Sequence, residues 1–232
     1  MTDPCRATRL PTELPSNPMH LAKAWLDEAE EKAVQRNPNS MTAITVSEDG
    51  QPTGRVVLCK EFVPDPGYLV FYTNYMSDKA RHLQINNNIA IVFHWDGFGR
   101  QVRLEGEAVR SPAAESDAYF SGRDWGSQLG AWGSDQSSPL ESHAALIAQV
   151  GRRAVKLGFG AAKNLKSIAA ADRPVIPRPP HWGGIRVWPR RIEIWIEGTD
   201  RIHDRARWDR SLVRGDDDSY TAGEWTGARL QP

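Results

Sequence analysis

The stretch from Asp200 to Arg205 carries the residue types in this chain that are best suited to chemistry. Arg201 and His203 are two positions apart, so in an extended segment their side chains share one face. Arg205 lies two positions further on and joins that face if the strand continues. Two guanidinium groups beside an imidazole are suited to hold a planar, anionic ligand. A solvated strand whose arginines pair with neighbouring aspartates explains the same pattern, so the stretch alone leaves both interpretations open.

The segments that must position this stretch are short and strand-like. Alternating apolar residues and turn signals predict strands at 41–46, 54–61, 68–73, 88–95, 100–110, 184–188 and 191–197, with a final hairpin of 205–208 and 224–230. Strands spaced so closely favour an antiparallel barrel over a doubly wound sheet.

Helices are predicted between these strands. Asn17 followed by Pro18 is a helix-start signal and predicts a helix to about residue 35. Further helices are expected at 77–84, at 112–122 with Ala113, Ala114 and Tyr119 facing inward, and at 140–166. We place Arg123 and Ser127 in the loop after the third helix.

The domain organisation follows from this order. Residues 1–16 contain three prolines and little periodicity, which predicts a flexible N-terminal arm. Residues 17–232 are expected to form a single domain. Within it, a basic helical or linker segment covers about 151–174, and a solvated helix face is its default explanation.

Composition excludes several functional classes. Lysine and arginine number 29 against 29 acidic residues, so no net charge directs the chain to nucleic acid or to a membrane surface. The chain has no long apolar run, and its N-terminus lacks the apolar stretch of a signal peptide, which predicts a cytoplasmic protein. Its two cysteines, Cys5 and Cys59, indicate neither a disulfide framework nor a metal site.

Eight short motifs, in one order, resemble the pyridoxamine 5'-phosphate oxidase family of FMN enzymes. They are Arg55-Val56-Val57-Leu58-Cys59-Lys60, Phe71-Tyr72-Thr73-Asn74, Arg100-Gln101-Val102-Arg103, Gly130-Ala131-Trp132 with Gln136-Ser137, Pro179-Pro180-His181-Trp182-Gly183-Gly184, Ile192-Glu193-Ile194-Trp195, Arg201-Ile202-His203-Asp204-Arg205 and Arg229-Leu230-Gln231-Pro232. The resemblance runs from about Leu14 to the last residue. It implies an FMN-binding split β-barrel, mainly antiparallel with flanking helices, and a homodimer with FMN at its interface.

The resemblance also assigns residues to the cofactor. It implies that Arg55 and Lys79 hold the FMN phosphate, while Gln136 and Ser137 come from the partner subunit. Gln101 is expected to hydrogen-bond the ring system, whose surroundings Trp195 and Arg205 complete. The remaining residues expected to line FMN are Val56, Val57, Leu58, Cys59, Lys60, Tyr72 and Thr73.

For the substrate, the resemblance implies a phosphate clamp formed by Lys60, Tyr119, Arg123 and Ser127. Arg201 and His203 are the implied catalytic residues, lying over the pyridine ring and fixing it against the flavin, with orientation as their main contribution. The implied reaction oxidises pyridoxamine 5'-phosphate and pyridoxine 5'-phosphate to pyridoxal 5'-phosphate. It transfers a hydride to flavin N5, and dioxygen then reoxidises the flavin and leaves as hydrogen peroxide.

Two residues depart from the family pattern. Asp78 stands where a basic residue is expected beside the phosphate, and we predict that it pairs with Arg81 instead. Ile196 replaces a glutamine and is expected to remove a polar group near the flavin edge. These departures leave open two alternatives: a related flavoenzyme with another substrate, of the phenazine-pathway type, and a non-catalytic protein that binds FMN or pyridoxal phosphate.

Overall fold

The structure is a computed structural model, and it describes residues 9–158, 175–216 and 218–232. These residues form two compact units, each built from several chain segments. The first unit contains the described residues up to Phe71, His82–Arg110 and the described residues from Ile185 onward. The second unit contains Tyr72–Arg81 and the described parts of Ser111–Gly184.

The described residues form five α-helices and eleven strands. The helices are α1 (Pro18–Glu31), α2 (Asp78–Ile85), α3 (Ala113–Ser121), α4 (Trp125–Gly133) and α5 (His143–Lys156). The strands are β1 (Ser40–Val46), β2 (Pro52–Leu58), β3 (Glu61–Val63), β4 (Tyr68–Asn74), β5 (Asn88–Trp95), β6 (Arg100–Arg110), β7 (Trp182–Ile196), β8 (Asp204–Asp209), β9 (Leu212–Arg214), β10 (Tyr220–Ala222) and β11 (Thr226–Leu230).

The first unit is organised around an antiparallel sheet with the strand order β11-β8-β7-β6-β5-β1-β2. The period-2 alternation that predicted these strands also sets which face is buried. On β6, Val102 and Leu104 are fully buried, while Gln101, Arg103 and Glu105 are half-buried on the opposite face. The sheet therefore has an apolar core face and a second face that carries the polar side chains.

Strand β7 corrects the prediction of two separate strands in this region. It is one strand of 15 residues, and Pro189 lies at a register shift against β6. Gly106 pairs with Pro189 and Glu105 pairs with Arg191, so Arg190 is the extra residue of a β-bulge. A bulge tolerates the missing proline N–H. A Cβ atom on Gly106 would lie 2.0 Å from the carbonyl oxygen of Trp188, which explains the glycine opposite the bulge.

Two predicted helices differ from the structure in detail. Helix α1 is capped as expected, because the Asn17 side chain accepts a hydrogen bond from the Met19 N–H, but the helix ends at Glu31 rather than near residue 35. In α3 the inward residues are Ser116 and Phe120. The prediction that alanines 113 and 114 face inward was wrong: both are exposed in the first turn, one helical turn before the buried pair.

Helix α4 was missed by the sequence analysis, which expected a loop at Ser127. Three glycines at positions 126, 130 and 133 disfavour a helix by intrinsic propensity. Packing reverses this preference: a Cβ atom on Gly133 would lie 2.6 Å from a methyl group of Val150 on α5. The glycine therefore permits close approach of α4 and α5.

The basic segment is described only in part, since residues 159–174 lie outside the described residues. In its described part, Arg153 of α5 donates to the Trp132 carbonyl oxygen at 2.9 Å and to the Asp135 carboxylate at 2.6 Å. This arginine joins α5 to the end of α4. Arg153 therefore has a structural role, whereas a solvated helix face was the expected explanation for the basic residues of this segment.

The described part of the predicted N-terminal arm, from residue 9, is bonded to the sheet of the first unit. Leu10 is buried, and its N–H donates to the Asp204 carboxylate at 2.7 Å. The indole N–H of Trp208 donates to the carbonyl oxygen of Pro15 at 2.9 Å. Among the described residues, no helix is long and apolar enough to cross a membrane.

Candidate functional site

Three residues predicted to contact a flat ligand lie in one cross-strand row of the first unit. Gln101 of β6 pairs with Trp195 of β7, and Trp195 pairs in turn with Arg205 of β8. Directly opposed residues project from the same face of a sheet, and all three are half-buried. The row therefore presents an amide, an indole and a guanidinium side by side.

Glu193 holds the arginine of this row in place. One of its carboxylate oxygens accepts hydrogen bonds from Nη2 and Nε of Arg205, at 2.8 and 3.2 Å. Its other oxygen accepts from Nη2 of Arg103 at 2.9 Å. The side chain is only 3 % exposed, and charge-assisted bonds of this kind fix the plane of a guanidinium. Glu193 belongs to one of the eight motifs but has no role implied by the resemblance. Its spacing of two residues from Trp195 is the feature of the sequence that places both side chains on one face of the strand.

The loop before β8 corrects the premise that Arg201 and His203 share a strand face. Strand β8 begins only at Asp204, and Thr199–Arg201 form a 3₁₀ turn. Asp200 and Arg201 have φ values of 54° and 63°, in the left-handed region that non-glycine residues rarely adopt. A tight loop, and not an extended segment, therefore carries both side chains.

His203 nevertheless reaches the row of β6, β7 and β8. Its ring lies 4.6 Å from the ring of Trp195, between centroids, at an interplanar angle of 44°. Its Nδ1 accepts a hydrogen bond from the Gly198 N–H at 3.1 Å, so the proton of the neutral ring is on Nε2. A Cβ atom at Gly198 would lie 1.8 Å from the Ile202 carbonyl oxygen, which is why the loop requires glycine there. Arg201 is exposed.

Strand β2 places Arg55 over strand β1. Its Nη1 donates to the Ala43 carbonyl oxygen at 3.1 Å and to the Thr45 hydroxyl at 2.8 Å, and its Nη2 donates to the Thr53 hydroxyl at 2.7 Å. The guanidinium is therefore ordered by the protein. Lys60, at the end of the same segment, is exposed, and its N–H bonds the Val70 carbonyl oxygen at 2.8 Å.

The motif residues between Arg55 and Lys60 differ in exposure. Val56 is 68 % exposed, whereas Cys59 is buried. Burial raises the pKa of the Cys59 thiol to about 12, and the thiol donates to the Glu61 carbonyl oxygen at 3.2 Å. A thiol in this state is unreactive at neutral pH, so Cys59 is suited to contact a ligand only through its backbone.

In the second unit, Lys79 is the centre of a polar cluster. Its side chain is buried, and its ammonium group donates to Thr73 Oγ1, Ser77 Oγ and Gln136 Oε1 at 3.1, 3.1 and 3.3 Å. The neighbouring Asp78 N–H donates to Ser137 Oγ at 3.2 Å. The resemblance implied that the partner subunit supplies Gln136 and Ser137. Within this chain both residues lie beside residues 79 and 78, and their contribution to the FMN of a partner subunit stays a prediction.

The two departures from the family pattern have structural explanations. Asp78 forms an ion pair with Arg81, three residues along α2, which confirms the predicted pairing. Ile196 is 1 % exposed and packs in the core. Because side chains alternate along β7, Ile196 projects from the face opposite to Trp195. The isoleucine therefore belongs to the core face and not to the polar face of the sheet.

An aromatic stack holds Arg123 in the second unit. The rings of Tyr72 and Tyr119 are parallel with centroids 3.8 Å apart, and Trp182 lies parallel to Tyr72 at 5.4 Å. The guanidinium of Arg123 lies over the Trp182 ring, 4.5 Å from its centroid. A Cβ atom on Gly184 would lie 3.0 Å from the Tyr72 ring, so this glycine makes room for the stack.

Arg123 has a hydrogen-bond donor that is available to an anion. Its Nη1 is buried and has no hydrogen-bond partner among the residues that the structure describes. Burial lowers the pKa of Arg123, as expected for a cation removed from water. Ser127, in the first turn of α4, is exposed. A half-buried cation with a buried, unused donor near a helix N-terminus is typical of a site that binds phosphate or carboxylate.

The residue types in the two units indicate a class of protein. The row in the first unit suits a flat ring system, and the cations Lys79 and Arg123 of the second unit suit anionic groups, as is typical of proteins that bind flat, phosphorylated ligands. A family model described as pyridoxamine 5'-phosphate oxidase matches residues 27–154. A second model, the pyridoxine 5'-phosphate oxidase C-terminal dimerisation region, matches residues 182–232. The chain belongs to the pyridoxamine 5'-phosphate oxidase family.

Full-length relatives agree with this assignment. The pyridoxine/pyridoxamine 5'-phosphate oxidase of Roseobacter denitrificans is 41% identical over 216 residues, covering 93% of this chain and 94% of the relative. The enzyme of the same name from Ralstonia pickettii is 38% identical over 231 residues, covering 100% of this chain and 96% of the relative.

Solved structures agree on the fold. PhzG from Burkholderia lata, determined with tetrahydrophenazine-1-carboxylic acid, superposes with a TM-score of 0.78 at 26% identity, covering 98% of this chain and 100% of that one. A pyridoxamine 5'-phosphate oxidase-related, FMN binding protein from Nostoc punctiforme has a TM-score of 0.63 at 16% identity, covering 93% and 97%. The predicted fold class, mainly antiparallel β with flanking helices, is confirmed.

Proposed function

We propose that this protein oxidises pyridoxine 5'-phosphate and pyridoxamine 5'-phosphate to pyridoxal 5'-phosphate with FMN as its cofactor. The observation that carries the proposal is the buried Nη1 of Arg123, which lacks a protein partner among the described residues and suits the phosphate of the substrate. Similarity to named oxidases over almost the whole chain supports the same conclusion. Tyr119, Ser127 and Lys60 are the further residues proposed for this phosphate.

The residues present fit FMN. Gln101, Trp195 and Arg205 form a row suited to the ring system, and the Lys79 cluster suits the phosphate. We propose that Arg55, with its guanidinium ordered by strand β1, is a second phosphate ligand. The remaining proposed lining residues are Val56, Val57, Leu58, Cys59, Lys60, Tyr72, Thr73, Gln136 and Ser137. When bound, FMN supplies the redox chemistry, accepting a hydride from the substrate and passing electrons to dioxygen, which leaves as hydrogen peroxide.

His203 is proposed to orient the substrate rather than to remove a proton. Because Nδ1 accepts from the Gly198 N–H, the neutral ring presents a donor, Nε2–H. A ring in this tautomer takes up a proton only at Nδ1, by giving up that backbone bond. Arg201, held in a left-handed conformation, is proposed to act with His203. Well-oriented reactants lower a barrier by on the order of 7–11 kcal/mol, so orientation is a sufficient role.

A homodimer with FMN at its interface is part of the proposal. It is supported by the match of residues 182–232 to a dimerisation region. We also retain the predictions that residues 17–232 form a single domain and that the protein is cytoplasmic.

A second candidate function is supported by the likeness to PhzG, whose bound ligand is a carboxylic acid. The buried Nη1 donor of Arg123 suits a carboxylate as well as a phosphate. A non-catalytic flavin or pyridoxal phosphate carrier is a third candidate, since it needs the same binding residues without turnover.

A stopped-flow spectrum of the FMN-loaded protein tests the proposal. The protein is mixed anaerobically with pyridoxine 5'-phosphate and then exposed to air, with unphosphorylated pyridoxine as the matched control. We expect the flavin absorbance to bleach with the phosphorylated substrate alone and to recover in air, with pyridoxal 5'-phosphate and peroxide formed. A flavin that stays oxidised with the phosphorylated substrate would exclude the proposed activity. Bleaching by a tricyclic carboxylic acid alone would favour the second candidate.

A further inference from the structure

A histidine that no motif includes is bonded to the hydroxyl groups that hold Arg55. His82 lies on α2, and its Nδ1 is 3.0 Å from the Thr45 hydroxyl and 3.5 Å from the Thr53 hydroxyl. Thr45 and Thr53 are directly paired between β1 and β2, so their side chains share a face with Arg55. Thr45 is fully buried. Two hydroxyl groups from two strands therefore contact the guanidinium, and the imidazole from α2 contacts those two hydroxyl groups.

The direction of these hydrogen bonds follows from their chemistry. A guanidinium only donates, so the Thr45 oxygen accepts from Arg55 Nη1 at 2.8 Å. The single Thr45 proton is then directed to His82 Nδ1, which must be unprotonated to accept it. The Thr53 hydroxyl accepts from Arg55 Nη2 and has the Thr45 carbonyl oxygen, at 3.4 Å, as an acceptor for its own proton. The chain Arg55 to Thr45 to His82 is complete only with a neutral imidazole.

We infer that His82 is a positioning residue for Arg55: its neutral Nδ1 orients the Thr45 hydroxyl, which holds the guanidinium for the FMN phosphate. This inference rests on the proposed function, because it assumes that Arg55 binds that phosphate. A protonated His82 donates at Nδ1 as well, leaving the Thr45 proton without this acceptor and setting two cations against one oxygen. We therefore expect FMN to bind more weakly when His82 is protonated than when it is neutral.

The charged groups around His82 are of both signs. From β2, the Arg55 guanidinium brings a positive charge to the threonines that His82 contacts. From the turn between β1 and β2, the Asp49 carboxylate interacts electrostatically with His82. On α2 itself, Arg81 precedes His82 and is paired with Asp78. The substitutions below leave all these groups in place.

Two substitutions distinguish the effect of the hydrogen-bond acceptor on His82 from the effect of its positive charge. His82→Asn keeps an acceptor near the position of Nδ1 but cannot gain a charge, whereas His82→Leu removes the acceptor. The dissociation constant of FMN is measured for each variant from the quenching of flavin fluorescence between pH 5.5 and 8.5. Riboflavin, which lacks the phosphate, is the ligand control, and Gln84→Leu on the exposed side of the same helix is the matched protein control.

At pH 8.5 we expect His82→Leu to weaken FMN binding about three- to tenfold, the loss of one hydrogen bond in a chain, while His82→Asn stays within about twofold of wild type. Toward pH 5.5 the wild type weakens more than His82→Asn. The FMN phosphate itself titrates near pH 6, so only the ratio of the two constants reports on His82. Riboflavin binding is unchanged by all three substitutions.

The outcomes distinguish this inference from the proposed function. If the wild type binds no FMN, both are overturned. If it binds FMN and the wild-type and His82→Asn curves remain parallel, or His82→Leu binds as tightly as wild type, only the role of His82 is overturned. Thr45→Val and Thr45→Ser give an independent check, since valine removes the connecting hydroxyl and serine retains it. We expect only valine to lower FMN affinity and abolish the pH difference.

Discussion

Arg205 and Arg123 are both arginines beside aromatic residues, but their guanidinium groups have different hydrogen-bond partners. Arg205, in the sheet of the first unit, is held by the buried carboxylate of Glu193 through two hydrogen bonds. Arg123, in the second unit, lies over Trp182 and keeps a buried Nη1 without a hydrogen-bond partner in the described part of the chain. The first arginine is neutralised by the protein, whereas the second is suited to be neutralised by a ligand.

This difference indicates what each arginine does. A guanidinium already paired with a carboxylate contributes shape and hydrogen-bond direction, as suits contact with a neutral ring system. A buried donor left without an acceptor costs about 1–3 kcal/mol, more when charged, and an incoming anion removes that cost. We therefore expect Arg123 to recognise the charge of a ligand and Arg205 to orient a ring system. Four substitutions test this contrast.

The largest effect is expected at Lys79, the buried cation of the second unit. Lys79→Met retains the length of the side chain but removes its charge, and we expect FMN to bind about 100-fold more weakly, since bonds to charged groups contribute about 1.5–3 kcal/mol each. Isothermal titration with FMN measures this. Lys156→Met, an exposed lysine of α5, is the control and should bind as wild type does. Equal affinities for the two variants would remove Lys79 from the cofactor site.

Arg123→Ala should raise the KM for pyridoxine 5'-phosphate roughly 10- to 100-fold, because a charge-assisted contact with the substrate phosphate is lost. FMN retention should change far less. Steady-state peroxide production and the flavin content of the purified protein measure the two quantities. Arg152→Ala, an exposed arginine in the same unit, is the matched control. An unchanged KM for Arg123→Ala would contradict its assignment to the phosphate.

Glu193→Gln tests the arginine of the first unit. Loss of the carboxylate leaves Arg205 and Arg103 without their shared counter-ion. Removing a partner from a fully buried pair costs about 3–5 kcal/mol, and we expect about 2 kcal/mol here because both arginines are partly exposed. Denaturant unfolding measures this loss. FMN affinity should fall about fivefold through the freed Arg205, by the loss of roughly one oriented hydrogen bond.

Glu105→Gln is the control for that substitution. Glu105 lies on the same face, and its contacts with Arg103 and Arg191 are longer, at 3.4 and 3.3 Å. Its loss should cost less than about 1 kcal/mol, as is typical of ion pairs that solvent reaches. Equal destabilisation by the two substitutions would show that the burial of Glu193 does not increase its contribution to stability.

The smallest effect is expected for Asp78→Arg. Asp78 is paired with Arg81, so its charge is already compensated beside the Lys79 cluster. We therefore expect FMN affinity to change by less than about twofold, and stability to fall by about 0.3 kcal/mol from the lost helical ion pair. Isothermal titration with FMN measures the affinity of this variant and of the wild type. Markedly tighter binding would mean that Asp78 repels the phosphate in the native protein.

Much of the first unit could be predicted from the sequence, because strand alternation is a local property. The row of Gln101, Trp195 and Arg205 follows from the odd positions of three neighbouring strands, once their register is known. Errors arose where a non-local contact overrides a local signal. The strand predicted to end at 188 continues through Pro189, because a bulge opposite Gly106 accommodates the proline. The loop predicted at Ser127 is a helix, because α4 packs against α5.

The sequence by itself determined most of the order of elements, the family, and the charged and aromatic residue types that the site needs. Only the tertiary structure decided their electrostatic state. It pairs Arg205 with Glu193, leaves a donor of Arg123 without an acceptor, and links His82 to Arg55 through Thr45. Residue types and spacings are local information, whereas a hydrogen-bond partner from another strand or helix is set by packing. The arginines look alike in the sequence, and their partners make them different.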